Sequence, residues 1–128
     1  MESTQNKKKI LIVDDDLDFV SNLSVKFEGA GFEVHNAITG KEALEYLDSN
    51  NADFIILDFV MPEMDGMEFY HTLTHDMRKS IPTIILTNFS GSQNTNDLEV
   101  YVKSETNLDE LVGKVKDRIS SPQSSAAV

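Results

Sequence analysis

The side chains best suited to joint chemistry are Asp14, Asp15, Asp16, Asp58, Thr87 and Lys103. Taken singly, each has an ordinary explanation. The three consecutive aspartates could cap a helix and favour its positive end. Asp58 could cap a turn, Thr87 could bond to nearby backbone, and Lys103 could be a solvated lysine. What joins them is position, because each follows directly on a short apolar run. If those runs are neighbouring strands, several carboxylates meet at one place. They then repel one another and raise each other's pKa unless a cation joins them. An all-oxygen ligand set with room for water suits Mg2+. An ammonium and a hydroxyl are the groups that suit phosphoryl oxygens. The set reads as a phosphoryl-transfer site with an aspartate as nucleophile.

The elements that must position these residues are legible in the periodicity. Ile10-Leu11-Ile12-Val13 is a β-branched apolar run, a buried strand that ends at the aspartates. Leu17, Val20, Leu23, Phe27 and Ala30 recur at helical spacing, and Gly29 and Gly31 end that helix. Residues 32–36 alternate and read as a second, less buried strand. Thr39-Gly40-Lys41-Glu42 has the form of a capping box, before a helix with Ala43, Leu44 and Leu47 on its apolar face. Residues 54–57 form an unbroken apolar strand ending on Asp58, followed by a Pro-and-Gly turn. A helix capped by Asp65-Gly66-Met67-Glu68 comes next, with Phe69, Tyr70, Leu73 and Met77 on one side. Residues 83–86 are a fourth strand ending on Thr87, and residues 98–102 a fifth ending on Lys103. Thr106-Asn107-Leu108-Asp109 starts the last helix, with Leu108, Leu111, Val112, Val115 and Ile119 apolar. Between the fourth and fifth strands, residues 88–96 are polar and weakly periodic, so the helix expected there is short or disordered. Alternating strands and helices imply an α/β fold: a single doubly wound, five-stranded parallel sheet. In such a sheet ligands lie outside the carboxyl ends of the strands, where all these polar residues fall.

Composition excludes other classes. The 128 residues favour one domain, and 40% apolar content suffices for a core. We divide the chain into a polar leader over 1–7, a domain over 8–119 and a disordered tail over 120–128. Acidic residues outnumber basic ones 22 to 11, a net charge of −11. That argues against direct contact with nucleic acid or an anionic membrane. With no cysteine there is no disulfide, thiolate metal site or thiol nucleophile. The N-terminus has no secretory pattern, and no apolar run approaches the ~20 residues of a membrane helix. A cytoplasmic protein is expected. His71 and His75 lie four apart on a helix, a spacing that can bind a metal. Without a third ligand in the pattern we read them, with His35, as solvated surface histidines.

The motifs Ile10-Leu11-Ile12-Val13-Asp14-Asp15-Asp16, Leu57-Asp58 with Met61-Pro62 and Met64-Asp65-Gly66, Ile85-Leu86-Thr87 and Val102-Lys103 resemble the receiver domain of two-component response regulators. The resemblance covers about residues 8–119. It implies a flavodoxin-like strand order of 2-1-3-4-5, and a signalling domain that catalyses only its own phosphorylation and dephosphorylation. It implies that Asp58 accepts a phosphoryl group from a histidine kinase or phosphotransfer protein, to be passed as a signal to an unidentified output partner. By the same resemblance, Asp15, Asp58 and the backbone carbonyl of Val60 ligate Mg2+, Asp14 helps through water, and Thr87 and Lys103 contact the phosphoryl group.

The chain departs from the family pattern near its end. Ser104 stands where a proline usually follows the lysine, and Val100 where an aromatic residue usually stands, with Tyr101 next to it. Val100 has no ring to swing, so an atypical switch is expected, in which phosphorylation orders residues 88–97. Two other readings compete. A haloacid-dehalogenase-type aspartyl-phosphate hydrolase also uses Asp-x-Asp after its first strand. It needs a later acidic pair and a cap insertion, and neither is evident here. A receiver-like module that is never phosphorylated would fit the altered 100–104 region, but not the retained acidic set.

Overall fold

The structure is a computed structural model and describes residues 7–61, 63–88 and 98–120. Five strands, β1 (Lys9–Val13), β2 (Glu33–Ala37), β3 (Phe54–Asp58), β4 (Thr83–Thr87) and β5 (Glu99–Val102), form one parallel sheet in the order β2-β1-β3-β4-β5. The described helices are α1 (Leu17–Gly29), α2 (Gly40–Ser49), α3 (Gly66–His71) and α4 (Leu108–Ser120). α3 runs on into a π-helical turn, Thr72–Asp76.

The three central strands are apolar at successive positions because both of their faces are covered. Ile10, Ile12, Phe54, Ile56, Ile84 and Leu86 face one core with Leu23 and Phe27 of α1 and Leu111 and Val115 of α4. Leu11, Val13, Ile55, Leu57 and Ile85 face the other, with Leu47 of α2 and Phe69 of α3. The period of two thus splits one sequence run between two cores. On the edge strand β2 only Ala37 is fully buried, in keeping with its alternating sequence.

Local signals hold with small adjustments. Gly31, at φ 99°, takes the left-handed conformation beyond α1 that a residue with a Cβ resists. The second strand runs one residue later than its alternation suggests, because Phe32 packs edge-on against Phe27 instead of entering the sheet. Leu17 is no part of the core: it is 61% exposed at the start of α1. The capping box before α2 is half formed as expected, with Glu42 N–H donating to Thr39 Oγ1 at 3.0 Å. The Glu42 carboxylate, however, accepts from the N–H of Ile38 at 2.6 Å, one residue before the cap. At α3 the reciprocal box is complete between Asp65 and Glu68. The expected ordering switch over 88–97, and the short or disordered helix over 88–96, lie outside the described residues except for Asn88. So do most of the polar leader and of the tail. No helix among the described residues is long and apolar enough to cross a membrane.

Candidate functional site

The register of the sheet brings the chosen residues to one edge. Val13 pairs with Leu57, so Asp14 and Asp58 stand side by side, one step beyond that pair. Asp58 in turn pairs with Leu86, one residue before Thr87, and Thr87 pairs with Val102, one residue before Lys103. A residue's distance from its strand end therefore sets its height in the site, and all of them lie at the carboxyl end.

The three consecutive aspartates divide the work. Asp14 is buried; its Oδ1 accepts the N–H of Asp16 at 2.9 Å, and its Oδ2 faces Lys103 Nζ at 2.7 Å. Asp15 is exposed. Asp16 is the N-cap of α1, accepting from Phe19 N–H at 3.2 Å. The capping role open to the whole run falls to this one residue. The turn that carries them is tied to β2: Asn36 Nδ2 donates to the carbonyls of Ile12 and Asp14, at 2.9 and 3.3 Å.

Asp58 closes β3 and is 6% exposed. Its Oδ1 accepts a long bond from Val60 N–H, 3.4 Å, and its Oδ2 lies 3.9 Å from Lys103 Nζ. Carboxylate oxygens of Asp14, Asp15 and Asp58 lie within 4.8 Å of one another, the one such group of potential metal ligands among the described residues. Burial, with Asp14 and to a lesser degree Asp15 nearby, pushes the Asp58 carboxyl up to about 6, against the opposing pull of Lys103 and the Val60 N–H. One ammonium is therefore not enough positive charge for three carboxylates. An all-oxygen, partly open and under-compensated set fits a hard divalent cation such as Mg2+.

Lys103 is the cation at this edge, with a side chain only 6% exposed. Its contact with Asp14 Oδ2, at 2.7 Å, is that of a close ion pair. It also lies 4.6 Å from the centroid of the Phe19 ring. Two carboxylates and a ring face thus surround it, and 3.9 Å from Asp58 Oδ2 it already lies beside the second anion of the edge. Thr87 is fully buried at the end of β4. Val60 is 51% exposed, on the rim.

Phe19 and Asn36 were not singled out from the sequence. Phe19 shares the i, i+4 spacing of the α1 apolar face with Leu23 and Phe27 and so reads as core. Asn36 is one polar position on an edge strand. No signal in the sequence sets either apart. The histidines stay out of the site: all three are exposed, with His35 stacked on Tyr46 at 3.9 Å and His71 on His75 at 4.1 Å.

Comparison with known proteins agrees with this geometry. The profile of the response regulator receiver domain matches residues 10–107. The transcriptional regulatory protein PrrA of Mycobacterium tuberculosis is 33% identical over 121 residues, covering 91% of this chain and 52% of its own. The transcriptional regulatory protein CrdR of Helicobacter pylori is 31% identical over 115 residues, covering 86% and 54%. The chain spans about half the length of these curated relatives. Among solved structures, the Francisella response regulator 1452 receiver domain superposes with a TM-score of 0.77 at 29% identity, covering 89% of this chain and 98% of that one. The response regulator TrrA of Thermotoga maritima, solved in complex with Mg(2+)-BeF, gives 0.71 at 34% identity, covering 86% and 97%. Parallel order, clustered carboxylates and matched profile agree: this chain belongs to the response regulator receiver domain family.

Proposed function

We propose that this chain is a signalling receiver, over about residues 8–119, that takes a phosphoryl group onto Asp58 from a phosphohistidine of a kinase or phosphotransfer protein. The observation that carries the reading is the placement of Asp58. It is a nearly buried carboxylate on a rigid strand end, beside two further carboxylates and 3.9 Å from a buried ammonium. In the transfer, an Asp58 carboxylate oxygen attacks phosphorus. The new O–P bond forms as the P–N bond to the donor imidazole breaks, and the electron pair leaves with that ring.

Asp15, Asp58 and the Val60 carbonyl would hold Mg2+, with Asp14 acting through water, and the bound ion supplies charge neutralisation at the phosphoryl oxygens. Lys103 leaves its contact with Asp14 to meet the incoming phosphoryl charge, and the Thr87 hydroxyl takes another phosphoryl oxygen. Phe19 keeps the lysine stem in line during that exchange. Beyond its own phosphorylation and dephosphorylation the domain needs no substrate. The net charge of −11 favours protein partners over direct contact of these residues with nucleic acid. The output partner meets a switch unlike the usual one. Position 100 is a valine, 39% exposed, while Tyr101 packs inward with Lys114 bonded to its hydroxyl at 3.1 Å.

Incubation with acetyl phosphate and Mg2+ followed by intact-mass spectrometry tests this. One added phosphoryl group is expected on the wild type and none on Asp58→Asn. Equal labelling of both would remove Asp58 as the acceptor. Lys103→Ala is expected to keep Mg2+ binding yet lose the phosphorylation-dependent changes near β5, read by hydrogen exchange.

A further inference from the structure

Beyond the acidic edge, two unused imidazoles lie together at the end of α3. His71 is the last residue of α3 and His75 lies in the π-helical turn that follows. Both are exposed, and their rings stack at 4.1 Å between centroids with 11° between planes. The chain there is not an ordinary helix end: Met77 N–H donates to Thr72 O and Lys79 N–H to Leu73 O, five and six residues back. Widened turns of this kind are often found at functional sites.

Thr74 supplies the second observation. Its hydroxyl donates its one proton to the Tyr70 carbonyl at 2.9 Å, with the His71 carbonyl more distant at 3.4 Å. The same oxygen lies 3.2 Å from His75 Nδ1. When the hydroxyl gives its proton to the Tyr70 carbonyl, the shortest of its contacts, it accepts at His75, and the His75 hydrogen then sits on Nδ1. In that tautomer Nε2 of this exposed ring carries the lone pair. A ring nitrogen hydrogen-bonded to fix the tautomer, with the other nitrogen free, is the arrangement of a metal-ligating histidine.

We propose that His71 and His75 form a two-imidazole site for a divalent d-block cation, Zn2+, Ni2+ or Cu2+, with Thr74 orienting the His75 ring. The rings stack face to face, so their in-plane lone pairs run nearly parallel. Chelation requires these exposed side chains to turn until both lone pairs meet one ion, over a short distance because the rings are already neighbours. Imidazole nitrogens favour these ions strongly over Mg2+, whereas an all-oxygen carboxylate set accepts Mg2+, so excess Mg2+ competes for the acidic edge and not for the histidine pair. No third His, Asp or Glu among the described residues joins the pair within ligand distance, which leaves the remaining coordination positions to water or to a donor from another molecule.

The test is titration of the full chain with ZnCl2, and separately NiCl2, at saturating Mg2+, following the histidine ring nitrogens by NMR. Resonances of His71 and His75 are expected to respond together at one ion per chain, and His75 to show the Nδ1–H tautomer before metal is added. His71→Ala and His75→Ala are each expected to weaken binding at least tenfold. Thr74→Val should weaken it about tenfold, as loss of a ligand-orienting partner does, and Thr74→Ser should restore it. Both histidines are exposed, so their variants leave the core intact. Binding unchanged in either histidine variant overturns the proposal. So does a free Nε2–H tautomer at His75, or a Thr74→Val variant that binds as tightly as the wild type.

Discussion

At the scale of single residues, Asp58 carries a cost that can be measured. Its carboxyl titrates near 6 in the folded protein, against an ordinary value of 3.8, chiefly because it is buried beside Asp14. The folded state therefore binds this proton more tightly than the unfolded chain does. Stability is lost as pH rises from about 4 to about 6, and the loss is complete above that window. The difference corresponds to about 1–3 kcal/mol at neutral pH. Asp58→Asn removes the ionisation, and Lys103 keeps Asp14 at 2.7 Å. In chelator at pH 8, urea unfolding should find Asp58→Asn more stable than the wild type by about 1–3 kcal/mol, an advantage that vanishes near pH 4. An advantage independent of pH would show that burial of this charge is not its source. The residue best placed for chemistry is thus one that weakens the metal-free fold.

At the scale of elements, the loop after β3 is held by close approach. A Cβ on Gly66 would come within 2.7 Å of the Asp58 carbonyl oxygen and 3.1 Å of Phe59 Cα. Both are backbone atoms, and Gly66 N–H bonds to Phe59 O at 2.8 Å. Gly66→Ala must therefore push α3 away from the strand that carries Asp58. A loss of about 2 kcal/mol or more is expected, with slower labelling by acetyl phosphate. Gly40 offers the contrast. A Cβ there would meet Met64 Sδ at 2.8 Å, the far end of a flexible side chain. Gly40→Ala should cost under about 1 kcal/mol, since thioethers move easily and Ala favours a helix. Thermal melts of the two variants check this, and equal losses would refute the distinction. Capping was legible at this scale because it depends on residues three apart. The close approach at Gly66 was not, since it joins a helix start to a strand end across a turn.

At the scale of the whole molecule, an excess of acidic charge is concentrated where two strands end. A divalent ion held there in the folded state alone stabilises it by mass action, about 2.7 kcal/mol at a hundredfold excess over Kd. We expect Mg2+ to raise the melting temperature of the wild type, and Asp15→Ala to lose most of that rise. Asp15 is exposed, so removing it leaves the packing intact. A rise of equal size in Asp15→Ala would show that Mg2+ acts on general surface charge. Added KCl at matched ionic strength should not reproduce the effect, since screening does not discriminate between ions.

By itself the sequence determined the sheet and which residues reach its edge. Apolar runs of fixed length, each ended by a polar residue, leave little choice of strand or of height in the site, because strand periodicity and right-handed crossovers are local rules. Periodicity and spacing alone did not apportion the three consecutive aspartates, although the family resemblance set Asp15 and Asp14 apart as metal ligands. Only the tertiary structure made Asp14 the buried partner of Lys103, Asp15 the open carboxylate and Asp16 the helix cap. The same holds for Phe19 beneath the lysine, Asn36 bonded to the β1–α1 turn, and the Thr74 hydroxyl against His75. Each of these depends on the direction of a side chain in space. A pattern of residue types carries spacing along the chain, and direction is fixed only when neighbouring elements pack.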